Sequence, residues 1–324
     1  MIFTTNKAQS VAGLGESALI ENIQDWLKAV TPQPPYGIGD DCAVIEVSKP
    51  TRQIITTDAV TFGQHFDSSV SAKDAGAKLI KRNLSDIAAM GGKPEHAVLA
   101  LLCGPDTSLE WLKAFFQGIA EISKPYKLRI VGGDVSALPI GQFSAVLTLV
   151  GTADTMKLRS DARIGDHIYV TGSLGGSILE HHYAFSPRLD EGAWLARHSA
   201  CTALMDLTDG LAKDLRALLP QHGSAYIDLS AVPIAGDAHK LAQDSKRDPL
   251  EHAFCDGEDY ELLFTIHGST PAADFEQQWR QSFPSLKLSR IGKIDRVSNS
   301  GHLLIDAVTN EALPWTEGFE HLKG

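Results

Sequence analysis

Cysteine is scarce and scattered in this sequence: four in 324 residues, Cys42, Cys103, Cys201 and Cys255, with no CxxC pair. That spacing suits neither a thiolate zinc site nor a disulfide framework. No apolar run approaches the ~20 residues that cross a bilayer. The opening MIFTTNKAQS has neither the charged nor the apolar region of a secretion signal, so a cytoplasmic location is expected, with no membrane contact. Positive charge is in deficit, 29 Lys and Arg against 40 Asp and Glu, a net charge of -11. Nucleic acid is a poor partner for such a chain, because a phosphate backbone demands a basic face. An acidic protein that handles phosphate compounds needs cations as mediators, which points to metal.

What is present is an ordinary globular composition, 43% hydrophobic and 21% charged, long enough for two domains. Apolar β-branched runs bordered by Gly and Pro predict strands at 53–60, 95–103, 128–135, 143–153, 166–172, 224–230, 260–267 and 288–294. Helical periodicity places Ile20, Ile23 and Leu27 on one face, and Leu79, Ile80, Leu84 and Ile87 on another. A third helix starts at the N-cap Ser108, and a fourth follows Asp209 with Leu211, Leu215 and Leu218. The polar stretch DTMKLRSDARIGD (154–166) reads as a connector, giving domains 1–155 and 156–324. The fold class is α/β (α+β), with the strand order beyond reach of the sequence.

Aspartate recurs where apolar strands run into Gly or Thr. GIGDDCA carries Asp40 and Asp41, TTDAVT carries Thr56, Thr57 and Asp58, GGDVS carries Asp134, and MDLTDGLAKDL carries Asp206 and Asp209. Asp86 lies within a helix in KRNLSDIAAMGG. Any one of these has a plain explanation as a turn former or a cap. Asp86 can pair with Arg82 one turn earlier, and Asp209 can cap the helix behind it. Repetition in one context favours a shared task. Magnesium takes one or two carboxylates and completes its shell with water and phosphate oxygens, so this many aspartates would serve several ions. Gly132 and Gly133 let a backbone come close to an anion, or else form a tight turn. GSLGGS (172–177) lacks the Lys-Ser/Thr of a phosphate loop and reads as a turn. Arg159 can reach a phosphate or sit as a solvated linker charge. His65 can meet an anionic substrate or pack structurally. Trp315 and Phe319 can stack on a ligand ring or dock on their own domain.

With these motifs in view, the chain resembles the thiamine-monophosphate kinase family. The match is colinear over nearly the whole length, through GLGESALI, GIGDDCAV, TTDAVTFGQHF, KLIKRNLSDIAAMGG, IVGGDVS, LRSDARIGDHIYVTGSLG, SPRLDEG, MDLTDGLAKDL, DGEDYELLFT and PWTEGF. The wider superfamily, which includes aminoimidazole ribonucleotide synthetase, shares the ATP site but not GEDYELLF. The resemblance implies an N-terminal mixed-sheet domain that forms a homodimer, and a C-terminal two-layer α/β domain. It assigns Mg²⁺ to Asp40, Asp41, Thr56, Thr57, Asp58, Asp86, Asp134, Asp206 and Asp209. Of the adjacent pair Asp41 is the preferred ligand, with Asp40 acting through water or capping the turn. ATP falls to Gly132, Gly133, Arg159 and Thr208, with Asp209 and Arg159 in the catalytic role. Thiamine monophosphate falls to His65, Glu258, Trp315 and Phe319. Two departures stand out: Thr208 replaces a family serine, and Asp256 replaces a family glycine beside Glu258.

The implied reaction is in-line transfer of the ATP γ-phosphoryl group to thiamine monophosphate. Its acceptor oxygen is already anionic near neutral pH, the second phosphate pKa being ~6, so no general base is required. The competing readings are another ATP-using enzyme of the superfamily and a non-catalytic nucleotide-binding scaffold. A metal-dependent hydrolase is less attractive, since no histidine-rich ligand set accompanies the carboxylates.

Overall fold

A computed structural model describes residues 1–14, 16–33, 52–297 and 301–319. The chain divides into two compact units, Met1–Ile87 with Lys93–Asp154, and Ala88–Gly92 with Thr155–Gly324. Asp40 and Asp41 lie outside the described residues.

The first unit is built from α1 (Val11–Leu14), α2 (Glu16–Trp26), β1 (Arg52–Thr61), α3 (Ala72–Ala89), β2 (Lys93–Cys103), α4 (Leu109–Ser123), β3 (Arg129–Ala137) and β4 (Phe143–Ala153). Its sheet runs β1-β4-β2-β3. Only β2 and β3 are parallel, and α4 supplies the crossover that a parallel pair needs. Strand β4 alternates strictly between buried and half-buried residues, so Phe143, Ala145, Leu147 and Leu149 face one side. Against that side α3 sets Leu79, Ile80, Leu84 and Ile87, and α4 sets Leu112, Phe115, Phe116 and Ile119, all of them buried. Ser108 caps α4, its hydroxyl accepting the Trp111 N–H at 3.4 Å. The opposite side of the sheet leaves Ile55 71% and Val98 42% exposed.

The second unit contains β5 (His167–Thr171), α5 (His181–Ala184), α6 (Leu189–Arg197), β6 (Cys201–Asp206), α7 (Leu211–Leu218), β7 (Gly223–Ile227), α8 (Gly236–Ser245), α9 (Pro249–Cys255), β8 (Leu262–Ile266), α10 (Ala272–Ser282), β9 (Leu288–Arg296) and β10 (Leu304–Asp306). These strands form a mixed sheet ordered β10-β7-β9-β5-β8-β6. Ile168 and Val170 of β5 join a core with Leu211, Leu215 and Leu218 of α7 and Phe254 of α9. Tyr169, between them, points to the other face, where it stacks on Phe264 and meets Phe275 of α10. This mixed α/β domain therefore carries helices on both faces of its sheet.

The eight strands read from composition are present, with ends displaced by three residues at most. One tail departs: Asp228, expected as strand, caps a 3-10 turn by accepting the Ser230 N–H at 3.0 Å. Strands β6 and β10 escape sequence reading because β6, buried at five of its six positions, shows no alternation and β10 has only three residues.

The two glycines of GGD behave differently. They do not turn; they continue β3 alongside β2. A Cβ on Gly133 would lie 2.0 Å from the Leu99 carbonyl oxygen, whereas one on Gly132 would meet only Val98 Cγ1 at 3.6 Å. Gly133→Ala is expected to lower the thermal unfolding midpoint by several degrees, as a clash costing ~2 kcal/mol would. Gly132→Ala should leave it nearly unchanged. Equal midpoints in the two variants would refute this account of the strand.

Candidate functional site

In the first unit the sheet register decides which side each motif residue faces. Thr56 and Asp58 pair with Leu149 and Leu147, two of the residues facing the helices, so they project toward α3. There the Thr56 hydroxyl donates to Asp86, and Arg82 donates to Asp58 at 3.0 Å and to the Ala59 carbonyl at 2.8 Å. Thr57 lies on the opposite side, its hydroxyl accepting from Thr148 at 3.2 Å and donating to the Leu147 carbonyl at 3.0 Å. Asp134 is exposed on β3 at the far edge of the sheet and accepts from Ser136 at 2.7 Å. The four-stranded sheet thus brings Thr56, Asp58 and Asp86 together and leaves Asp134 apart from them. His65 is half-buried in the turn after β1, its Nδ1 accepting the Thr61 N–H at 3.1 Å. The ammonium of the fully buried Lys78 holds its carbonyl at 2.7 Å.

In the second unit two motifs are laced together by main-chain bonds. The N–H groups of Glu258 and Tyr260 donate to the carbonyls of Thr208 and Leu207, each at 2.8 Å, and the Leu207 N–H donates to Glu261 at 2.8 Å. MDLTDG and DGEDYEL therefore form one structure. It is a constrained one: Gly257, Glu258 and Tyr260 all have φ between +50° and +76°, a conformation unfavourable for the two non-glycine residues. The Glu258 carboxylate accepts from the Tyr260 hydroxyl at 3.0 Å and lies 3.7 Å from His182 Nδ1. Phe185 stacks on the Tyr260 ring at 3.9 Å.

Asp206 ends β6 almost fully buried. Asp209 does not cap the next helix; its carboxylate pairs with Lys213 at 2.7 Å. The cap-like role falls to Asp214, which reaches back from α7 to accept the N–H groups of Thr208 and Asp209 at 3.0 and 3.1 Å. Burial raises its pKa to about 7, with the Asp209 and Asp206 carboxylates adding to the rise and the two amides opposing it. Glu261, also buried, accepts a two-pronged contact from Arg188 and the Thr171 hydroxyl at 2.6 Å. Arg159 stands exposed on a 3-10 turn, Arg159–Asp161, with no carboxylate in ion-pair range among the described residues. Trp315 packs half-buried on Phe254, ring centroids 5.0 Å apart, while Phe319 remains 46% exposed.

Comparison with known proteins extends this picture. Residues 39–153 match the family model of the AIR synthase related protein, N-terminal domain. Over 299 residues the sequence is 36% identical to a thiamine-monophosphate kinase of Rhodopirellula baltica, covering 90% of this chain and 92% of that protein. The chain belongs to the thiamine-monophosphate kinase family. Its Haemophilus influenzae relative is 30% identical, with 96% of this chain and 98% of the other covered. Among solved structures, the kinase of this family from Stenotrophomonas maltophilia superposes with a TM-score of 0.74 at 28% identity, over 93% of this chain and 98% of that one. The structure of AaThiL complexed with AMPPCP and TMP gives 0.70 at 26% identity, over 93% and 96%. A hydrogenase maturation protein, HypE, in complex with ATP gives 0.72 at only 18% identity, over 93% and 97%, a likeness of fold alone.

Sequence reasoning passed over Asp214 and Tyr260, and named Arg82 only as a partner for Asp86, not for Asp58. Asp214 leaves a readable trace: it occupies an apolar-face position between Leu211 and Leu218, where a carboxylate is tolerable only with partners. Its raised pKa has a measurable consequence. An acid whose pKa rises on folding, here from 3.8 to about 7, takes up a proton as the chain folds, so stability falls as pH climbs through that window. Each pH unit inside the window costs up to ~1.4 kcal/mol. In metal-free protein, Asp214→Asn is expected to gain stability relative to the parent between pH 5 and pH 8 in denaturant titrations. A difference independent of pH would refute the assignment.

Proposed function

We propose that this chain transfers the γ-phosphoryl group of ATP directly to the phosphate of thiamine monophosphate, releasing ADP and thiamine diphosphate. The observation that carries this reading is the match of nearly the entire chain to thiamine-monophosphate kinases at 36% identity. The relative solved with AMPPCP and TMP is in keeping with the two substrates.

The donor set suits magnesium. Thr56, Asp58 and Asp86 in the first unit and Asp206 and Asp209 in the second offer oxygen alone, the preference of a hard cation. Among the described residues no three acidic, histidine or cysteine side chains could hold an ion by themselves, which agrees with a shell completed by phosphate and water. Bound there, magnesium would supply positive charge to offset that of the phosphates. Asp40, Asp41, Thr57 and Asp134 are proposed for further ions, Thr57 and Asp134 standing apart from the group of Thr56, Asp58 and Asp86. The protein's own task is positioning. Arg82 and Lys213 hold Asp58 and Asp209 in place, and Asp214 fixes the turn bearing Thr208. Arg159, with no acidic partner among the described residues, is suited to meet a nucleotide phosphate, as are the backbones of Gly132 and Gly133. His65 and Phe319 complete the pocket for thiamine monophosphate, Trp315 stacking on a ring. Glu258, oriented by Tyr260, faces the thiazolium cation.

With ATP, Mg²⁺ and thiamine monophosphate, the purified protein is expected to form thiamine diphosphate, and absence of that product would sink the reading. Asp58→Asn should reduce turnover by roughly 100-fold or more without lowering the unfolding midpoint. Near-parental turnover would remove Asp58 from the metal set.

We also propose that the first unit forms a homodimer through the side of its sheet bearing Ile55 and Val98. Ile55→Glu combined with Val98→Glu should shift the sedimentation coefficient from dimer to monomer. A parent already monomeric at ~10 µM, a Kd above which is worth less than about 7 kcal/mol, would overturn the assembly. The three described cysteines are free thiols, which suits a reducing, cytoplasmic setting.

A further inference from the structure

A basic groove lies in the first unit, at the end of the sheet where β2 and β3 begin. Its volume is about 670 Å³, and Lys93, Lys124, Lys127 and Arg129 line it, with His96 on its floor. The four cations are exposed, and none has a carboxylate within ion-pair distance among the described residues. In a chain of net charge -11 that is an inversion of the average. Glu95, the one acid lining the groove among the described residues, accepts a hydrogen bond from Thr152 at 3.0 Å. The C-terminal dipole of α4 accounts for a lysine at Lys124, its C-cap, but not for Lys93 and Arg129 on two separate strands. Like charges gathered this way repel unless an anion lies among them.

His96 supplies a second, independent observation. It is 7% exposed and pairs in register with Arg129, whose guanidinium meets the imidazole Nε2. Arginine only donates, so Nε2 must accept, and the neutral ring then carries its proton on Nδ1. That Nδ1–H is buried with no acceptor among the described residues. Burial, and next the Arg129 charge, lower the His96 pKa, which keeps the ring in this neutral form. The groove thus combines a buried ring whose donor lacks an acceptor with four cations that have no carboxylate partner among the described residues, an arrangement that favours negative charge.

We propose that this groove binds a small, multiply charged phosphate anion, without magnesium and separately from the carboxylate-bearing motifs of the kinase site. Lys93 and Arg129 clamp it from the two strands, and Lys124 and Lys127 from the end of α4. Magnesium dependence separates the two sites: aspartate clusters repel phosphate when metal is withheld, whereas this groove does not need metal.

The test is calorimetric titration of the full chain with inorganic pyrophosphate in EDTA, with ATP and thiamine diphosphate as parallel arms. One site is expected, weakened about tenfold by Lys93→Ala combined with Lys127→Ala, and weakened by added salt. The control Lys240→Ala combined with Lys293→Ala, which removes the same charge in the second unit, should leave it unchanged. Pyrophosphate should bind about as well as the other two arms, since phosphate alone is read. The proposal fails if pyrophosphate does not bind, if control and groove variants weaken binding equally, or if only ATP or thiamine diphosphate binds. Melting curves of the lysine variants should match the parent, because these side chains are exposed.

Discussion

The organisation of this protein rests on one electrostatic constraint: carboxylates gathered at strand ends must be met by positive groups. Each cluster answers it with a different device. Arg82, projecting from α3, faces Asp58 across the sheet surface. Lys213, one helical turn beyond Asp209, pairs with it. Asp214 and Glu261 are buried too deeply for solvent to help; the first takes two backbone amides and the second a guanidinium and a hydroxyl. Burial still leaves Asp214 with a pKa near 7, a sign that its partners compensate only in part.

The same constraint explains the strained loop at Gly257–Tyr260. Left-handed backbone at Glu258 and Tyr260 is unfavourable, and it persists because neighbouring main chain over-determines it. Asp259 is tied to the Gly175 amide, Ser177 donates to the Gly257 carbonyl, and Glu258 and Tyr260 are held by Thr208 and Leu207. In return the loop presents Glu258 in a fixed orientation beside Thr208. Asp256, the departure from the family pattern, lies among His252 at 2.7 Å, Arg247 at 3.3 Å and the Gly176 amide at 3.4 Å. It is a satisfied anion that ties α9 to the glycine turn, not a loose charge beside the proposed substrate contact.

Fold and function separate cleanly in the comparisons. A hydrogenase maturation protein superposes nearly as well as a kinase of the family, yet at 18% identity it shares architecture only. The family is fixed by 36% identity over 299 residues, a likeness that the architecture does not require.

By itself the sequence determined most of the local elements and the family. Alternating Val, Ile and Leu placed eight strands, and the apolar faces of α3, α4 and α7 could be counted from their spacing. The recurrence of Asp beside Gly and Thr raised the expectation of a phosphate-handling metal site, and the colinear motifs pointed to the family. What only tertiary structure decided is which of those residues meet. Thr56 and Thr57 are neighbours in sequence, but the two-residue period of a strand sends one toward Asp86 and the other to the opposite side. Asp58 and Asp134 follow similar motifs, yet strand order puts them on opposite edges of one sheet. Thr208 and Glu258 lie 50 positions apart and are joined by a single backbone bond. Pairing of this kind depends on register and crossover geometry, which no local pattern of side chains encodes.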